Sequence, residues 1–215
     1  MPKKELALKN AVILSTYLLI VWGLYRFLFK LPDEVEELFV KPIFWLVPVF
    51  YLLSKEKAKI SSLGVTLKNL FPAIYFALGL GAFFVIEAIF INFIKYKGLS
   101  FSANLGNTPF LTSIGLSFIT AVVEEVTFRG YIFNRAWHSL GGEWTANILS
   151  SLAWGLVHVP ITFFVWKLDI QAALIYLLLT TIFGIGSAFV FARTRNIFSS
   201  ILLHVLWAWP IILFR

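Results

Sequence analysis

Two adjacent glutamates, Glu124 and Glu125, stand in a run of residues that is otherwise apolar enough for a membrane. A charged side chain at the centre of a bilayer costs at least about 2.5–3.5 kcal/mol, so an acidic residue there indicates a functional site. If the run is helical, Arg129 follows Glu125 by four residues and can form an ion pair with it. Glu124 is rotated by about 100° from that pair and needs a partner on another helix. We therefore interpret Glu125 and Arg129 as mainly structural and Glu124 as the residue for chemistry.

Two of the three histidines, His158 and His204, also lie within apolar runs. On a helix, His158 shares one face with Trp154 and Asn147. A buried carboxylate and two imidazoles can activate water by general base catalysis and stabilise an oxyanion. Glu124, His158 and His204 could instead ligate zinc, which would make the protein a metalloendopeptidase. The chain has no His-Glu-x-x-His and no Gly-x-Ser-x-Gly sequence, so the usual cues for zinc proteases and serine hydrolases are missing.

The composition indicates an integral membrane protein. Of the 215 residues, 60% are hydrophobic, 18% are aromatic and only 13% are charged, and the mean hydropathy is +0.86. A soluble domain carries about 25% charged residues. The absence of cysteine excludes disulfides, thiolate metal ligands and a cysteine nucleophile. The net charge of +7 comes from short basic clusters between apolar runs, which indicates membrane topology and no nucleic-acid partner.

The apolar runs predict an all-α transmembrane bundle of about seven spans, or eight if one helix is split or re-entrant. Four acidic residues between positions 30 and 41 contrast with four lysines between 54 and 68. The positive-inside rule therefore places residues 54–68 and the N-terminus in the cytoplasm. We expect one integral domain over residues 1–215 in the cell membrane, with the motifs in its half from about 109 to 215. The predicted spans are 11–29, 39–53, 71–94, 109–137, 144–166, 170–191 and 197–214.

Three short motifs follow one another in the C-terminal half of the chain. They are Glu124-Glu125-x-x-x-Arg129, Trp154-x-x-x-His158 and Arg193-Thr194-x-Asn196-Ile197-x-x-Ser200-Ile201-x-x-His204. In this order they resemble the motifs of the CPBP family, the CAAX-protease and bacteriocin-processing group of intramembrane endopeptidases, also called Abi. Each motif alone is weak, and the specificity lies in finding all three in register within one helical membrane chain.

The resemblance implies a glutamate-dependent peptidase whose chamber lies within the bundle and opens toward the cytoplasm. It implies that Glu124 is the general base for water, that His158 assists it and that His204 supports the oxyanion. Glu125 would complete the first motif, and Arg129 would tie helices together. No cofactor is required in this reading, although zinc remains open. The implied substrate is a membrane-associated peptide or protein, either a CAAX-type tail or a bacteriocin-type peptide.

Two positions depart from the family pattern. Trp154 replaces the usual phenylalanine, and Ala208 stands where the pattern has asparagine or aspartate, four residues after the last histidine. Alanine cannot donate a hydrogen bond, and loss of one oxyanion donor lowers the rate by about 10²–10³. Either another group, for example Asn147 or Asn196, supplies the missing donor, or this member is slow or inactive.

Two alternatives to the peptidase therefore stay open. The first is a non-catalytic scaffold or immunity protein with the same fold, which the alanine at position 208 favours. The second is a small proton-coupled transporter that uses Glu87 of the third span together with Glu124. We interpret Glu87 more simply as pairing with a basic group or lining a wet cavity.

Overall fold

The computed structural model describes residues 2–100 and 109–214, which form seven long helices and no β-strand. Six of the helices are long and apolar enough to cross a membrane, and the seventh is a shorter apolar helix. The predicted all-α bundle of about seven spans is confirmed. Residues 101–108, most of the predicted turn-rich loop after the third span, lie outside the described residues. The helices are α1 Lys4–Leu28, α2 Asp33–Lys55, α3 Leu70–Tyr96, α4 Phe110–Leu140, α5 Glu143–Val165, α6 Ile170–Thr194 and α7 Ile197–Phe214.

The second helix is longer than the sequence predicted. It begins at Asp33 and continues through Pro48, so the acidic residues assigned to a loop form its first turns. Acidic side chains are favourable near a helix N-terminus, and Glu36 is further compensated by an ion pair with Arg26 of α1. The prediction of a short span from residue 39 was wrong because hydropathy cannot recognise charges that are neutralised by neighbouring helices.

Helix α4 occupies the centre of the bundle. It packs against α1, α2, α5, α6 and α7, and every residue from 123 to 136 is buried. A helix that is buried on all sides must satisfy its polar groups within the protein. The segment Val126–Phe133 is π-helical, and such segments occur frequently at functional sites. The glutamates therefore lie inside the bundle and away from lipid.

Small residues on α6 allow this close packing. A β-carbon added to Gly184 would lie 3.0 Å from Ser151 Cβ and 3.1 Å from Arg129 Nη2. One added to Gly186 would lie 3.2 Å from Leu80 Cδ2. Gly184 thus lets α6 approach α4 and α5, and Gly186 lets it approach α3.

The bundle has two distinct ends. At the first, the ring nitrogen Nε2 of His138 lies 3.1 Å from the Pro2 carbonyl oxygen, and Asn69 donates to the Thr194 carbonyl oxygen at 3.0 Å. The N-terminus, the α2–α3 connection and the α4–α5 and α6–α7 turns therefore meet there, and we call this the N-terminal end. The last turns of α1 contact the last turn of α5 at the opposite end.

A fully buried ion pair joins three helices near the N-terminal end. Arg135 Nη2 of α4 lies 2.9 Å from Glu56 Oε2, and both side chains are 0% exposed. Tyr131 donates to Glu56 Oε1 at 2.6 Å, and Asn10 of α1 donates to the same oxygen at 3.0 Å. Since every partner is satisfied within the protein, the network fixes α4 against α1 and the end of α2.

We predict that Glu56→Gln destabilises the fold. Removal of one charge leaves Arg135 buried without an anionic partner, and breaking such a pair costs about 3–5 kcal/mol. The measurement is the thermal melting of the purified protein in detergent, where a drop of several degrees is expected. The control Glu5→Gln changes an exposed acid at the same end and should leave the melting temperature unchanged. Equal melting of both variants would contradict a stabilising role for the pair.

Candidate active site

Glu124 lies on α4 at an internal cavity of about 190 Å³, and its side chain is only 3% exposed. Its two carboxylate oxygens have different partners. Lys41 Nζ of α2 lies 2.7 Å from Oε1, and Trp154 Nε1 of α5 donates to Oε2 at 2.8 Å. Glu124 therefore finds its partners on other helices, as its position relative to the Glu125–Arg129 pair predicted.

His158 stands beside Glu124 in a defined orientation. Its Nδ1 lies 2.8 Å from the Trp154 carbonyl oxygen one turn earlier in α5. A carbonyl oxygen only accepts, so Nδ1 carries the proton, and Nε2 of the neutral ring is an acceptor. This Nε2 lies 3.6 Å from Glu124 Oε2, which is too long for a direct hydrogen bond. The two atoms can instead share a bridging water.

Glu125 is the centre of a second, completely buried cluster. Its Oε1 accepts from Arg129 Nη1 at 3.2 Å and lies 2.8 Å from His204 Nδ1, and its Oε2 accepts from Ser187 at 2.6 Å. The Glu125 side chain is 0% exposed. The cluster therefore connects α4, α6 and α7, which agrees with the structural role predicted for Glu125 and Arg129.

His204 reaches the same cavity as Glu124 but bonds to the other glutamate. The link between the two clusters is Trp154, whose ring lies under the Arg129 guanidinium at 4.6 Å and whose ring centroid is 5.9 Å from that of His204. Cation–π contacts of this kind stabilise by about 2 kcal/mol when desolvated. Trp154 thus positions Glu124 through the hydrogen bond from its Nε1. Its ring contacts Arg129 and His204 and so positions the Glu125 cluster.

Lys41 and its surroundings are the part of the site that sequence reasoning missed. Lys41 Nζ also lies 3.0 Å from Glu37 Oε2, and Thr120 of α4 donates to that oxygen at 2.5 Å. Arg26 Nη2 lies 3.7 Å from Glu37 Oε1. The sequence signal was present, because Glu37 and Lys41 are spaced by four residues immediately before a long apolar run. The assignment of residues 30–41 to a loop concealed it.

The two asparagines proposed to replace the missing donor at Ala208 do not do so. Asn147 donates to the Ile185 carbonyl oxygen at 3.1 Å, which holds α5 against α6. Asn196 donates to the Thr66 carbonyl oxygen at 2.9 Å, at the N-terminal end of the bundle. Neither lines the cavity around Glu124. Asn147 therefore holds two helices together, and Asn196 holds the α6–α7 turn against the α2–α3 connection.

The three side chains named as zinc ligands do not form a ligand set. Within the described ranges, 2–100 and 109–214, no group of three or more His, Cys, Asp or Glu side chains is arranged to hold a metal ion. The Lys41 ammonium already compensates Glu124 at 2.7 Å and would repel a second cation, while His204 directs Nδ1 to Glu125. A zinc site would require both contacts to break.

Other chemistries have less support from the geometry. In the part of the chain that the structure describes, no serine hydroxyl is hydrogen-bonded to His158 or His204, so a serine triad is not assembled. Glu87 of α3 is half-buried and does not line the cavity around Glu124. What the cavity does combine is a carboxylate, an imidazole acceptor and an ammonium group, which suits general base catalysis with charge stabilisation.

Comparison with known proteins agrees with the motifs. No curated protein matches the chain. A family model does match, and its description is Rce1-like, type II CAAX prenyl endopeptidase. The match covers residues 106–210, which include helix α4 with its two glutamates, both cavity histidines and Ala208. Over these residues the chain matches the Rce1-like family of type II CAAX prenyl endopeptidases, and the resemblance to the CPBP group is confirmed.

Proposed function

We propose that this protein is an intramembrane endopeptidase in which Glu124 activates a water molecule. The observation that carries the proposal is the 3.6 Å separation of Glu124 Oε2 and His158 Nε2 in a cavity within the family-matched segment. A water between these atoms can donate one proton to the carboxylate and the other to the imidazole. The lone pair of its oxygen is then directed away from both acceptors and toward a bound peptide carbonyl.

The hydrolysis follows from these positions. Glu124 takes a proton from the water as the water oxygen forms a bond to the carbonyl carbon, which converts the carbonyl oxygen to an oxyanion. The carboxylic acid then returns the proton to the amide nitrogen as the carbon–nitrogen bond breaks. The products are a carboxylic acid and an amine, and Glu124 is again ionised. The acid then passes its proton to the amine, which leaves a new carboxylate and a new ammonium group. His158 keeps the water oriented through its Nε2 because Nδ1 is held by the Trp154 carbonyl oxygen.

Lys41 is the group that we assign to the developing negative charge. Its ammonium group lies 2.7 Å from Glu124 Oε1, and the side chain lines the cavity. Donors that are fixed before the reaction stabilise an oxyanion without reorganisation. Glu37 holds the ammonium from the other side at 3.0 Å. In this proposal, a lysine from α2 performs the role that an amide at position 208 would have in the family pattern.

The proposed substrate is an extended segment of a membrane-associated peptide or protein. The cavity lies within the helix bundle, so a peptide bond must leave regular secondary structure and enter it from the membrane surface or the bilayer. Whether the natural segment resembles a prenylated CAAX tail or a bacteriocin precursor depends on contacts outside the catalytic groups. We propose a plasma-membrane location with the N-terminus in the cytoplasm, and the positive-inside charge pattern supports this orientation.

We predict that Glu124→Gln abolishes peptide cleavage without unfolding the protein. The amide cannot accept the water proton, and loss of a general base lowers the rate by about 10²–10⁴. The assay compares the variant and wild type on quenched-fluorescent peptides, including lipid-anchored ones, in liposomes. Glu87→Gln is the matched control, since the Glu87 carboxylate is also on a membrane helix but outside the cavity.

The same variants distinguish the alternative functions. A scaffold would keep partner binding in both variants and show no cleavage in wild type, whereas the function of a transporter would depend on Glu87 as well.

A second prediction concerns Lys41. We expect Lys41→Gln to lower kcat by about 10²–10³ with little change in KM, because the ammonium acts mainly on charge that develops in the transition state. Lys55→Gln, an exposed lysine at the other end of α2, should have no effect. If the activity of Lys41→Gln falls only in proportion to its folded fraction, and Lys41→Arg restores stability and activity together, the side chain is a structural counter-ion only.

A third prediction concerns metal removal. We expect a zinc chelator to change the initial cleavage rate by less than about twofold, because no step of the proposed reaction uses a metal. The same preparation should be unaffected by added zinc at low concentration. A loss of activity that is restored by zinc would contradict the water-activation scheme and show that the Lys41–Glu124 contact opens to admit a metal.

A further inference from the structure

The cavity around Glu124 continues into a larger cavity of about 450 Å³. The residues lining both cavities lie on α1, α2, α4 and α5. They are Arg26, Glu37, Thr120, Ile161 and, just after α5, Trp166. The larger cavity, which we call the vestibule, is therefore the approach to the proposed catalytic groups. Its position shows from which membrane face a substrate reaches them.

The vestibule leads to the opposite end of the bundle. Its outer wall contains exposed Lys30 of the α1–α2 connection and exposed Asp33, the first residue of α2. Ser113 from the first turn of α4 also lines it. Exposure falls along this route, from exposed Asp33 to 17% for the Glu37 side chain and 3% for that of Glu124. Glu124 lies about 21 Å along α4 from its first residue and about 24 Å from its last, so depth alone does not decide the direction of access.

Toward the N-terminal end the route is closed. Phe128, Tyr131 and Phe133 of α4 are all 0% exposed and pack with the core below Glu124. The α2–α3 connection also seals this side, because a β-carbon added to Gly130 would lie only 2.9 Å from the Leu63 carbonyl oxygen. A peptide could not pass this layer without repacking the centre of the bundle.

Basic residues are concentrated at the closed end. Near the N-terminal end lie ten lysines and arginines, namely Lys3, Lys4, Lys9, Lys55, Lys57, Lys59, Lys68, Arg135, Arg193 and Arg195. Near the opposite end lie five in the described ranges, namely Arg26, Lys30, Lys95, Lys97 and Lys167. Short connections with excess lysine and arginine remain in the cytoplasm. The charge distribution and the position of the vestibule are independent observations.

Together, these observations lead us to infer that the catalytic chamber opens on the non-cytoplasmic face of the membrane. The family resemblance implied a cytoplasmic opening, whereas the charge pattern predicted a cytoplasmic N-terminus, and in this structure those two expectations are incompatible. The substrate is then a segment of an exported or membrane-anchored polypeptide that is presented outside the cytoplasm. This substrate class rests on the proposed endopeptidase function. A lipid-modified tail confined to the cytoplasm would meet only the sealed end.

The test uses the fact that the chain contains no cysteine. Single cysteines are introduced at Asp33, on the vestibule rim, at Ser113, on its wall, and at exposed Lys57, near the N-terminal end. Intact expressing cells are treated with a charged, membrane-impermeant maleimide before and after permeabilisation. The matched control is Phe118→Cys, which is 45% exposed on the same helix as Ser113 but does not line the vestibule.

We expect Asp33→Cys and Ser113→Cys to be labelled in intact cells and Lys57→Cys only after permeabilisation. Phe118→Cys should remain unlabelled, since a thiol that faces lipid does not ionise. The reverse order of labelling would overturn the inferred orientation. If Asp33→Cys is labelled but Ser113→Cys is not, even after permeabilisation, the vestibule is closed to water and the inferred route is wrong.

A second experiment separates this inference from the proposed function. Quenched-fluorescent, lipid-anchored peptides are presented to proteoliposomes, either on the vestibule side of the protein or on its N-terminal side. The orientation of the protein in these liposomes is determined from the labelling of Lys57→Cys. We expect cleavage only on the vestibule side, and loss of at least about tenfold in rate when Ser113→Cys carries a bulky maleimide. If labelling agrees with the inference but neither side is cleaved, the endopeptidase proposal fails and the orientation stands. Cleavage only on the N-terminal side overturns the inference alone.

Discussion

The compensation of Glu124 by Lys41 is the interaction on which the proposed site depends. A carboxylate in the interior of a membrane bundle is tolerated only if protein groups replace the water it has lost, and here an ammonium group at 2.7 Å does so. Burial of both charges is expensive, which explains why each has additional hydrogen bonds. Trp154 serves Glu124, and Glu37 serves Lys41. Helix α2 must therefore begin early enough to bring Lys41 to the depth of Glu124.

The two adjacent glutamates have separate tasks because a helix directs consecutive side chains to different sides. Glu125 is saturated by Arg129, His204 and Ser187, and has no exposed surface. Glu124 faces the cavity and has a histidine acceptor nearby. One residue thus holds α4, α6 and α7 together, and its neighbour is available for chemistry. The rigidity supplied by the first allows the second to be positioned within a few tenths of an ångström.

The alanine at position 208 has a different meaning when the whole site is considered. It removes an amide from α7, but it leaves the carboxylate and both histidines in place. In the proposed reaction, the cation near the developing oxyanion comes from α2, which lies outside the family-matched residues 106–210. A family pattern that covers only part of a chain cannot report a group supplied by the other part. The N-terminal helices are therefore more than a membrane anchor for the matched segment in this proposal.

Several features followed from the sequence by itself. The apolar runs determined the helical bundle, since a membrane leaves few other ways to satisfy the backbone. The spacing of Glu125 and Arg129 determined their pairing, because contacts over four residues depend only on helix geometry. The order of the motifs also identified the family, which the match over residues 106–210 confirmed. These are local or compositional properties, and local physics is sufficient to predict them.

Only the tertiary structure decided which polar groups meet. Lys41 and Glu124 are 83 residues apart, and no periodicity relates them. His204 bonds to Glu125 rather than to Glu124, and the two asparagines bond to backbone carbonyls, because neighbouring helices fix which face each side chain meets. The direction in which the chamber opens is also a property of the assembled bundle. Sequence determined which charges enter the membrane, whereas packing between distant segments decided how each charge is compensated.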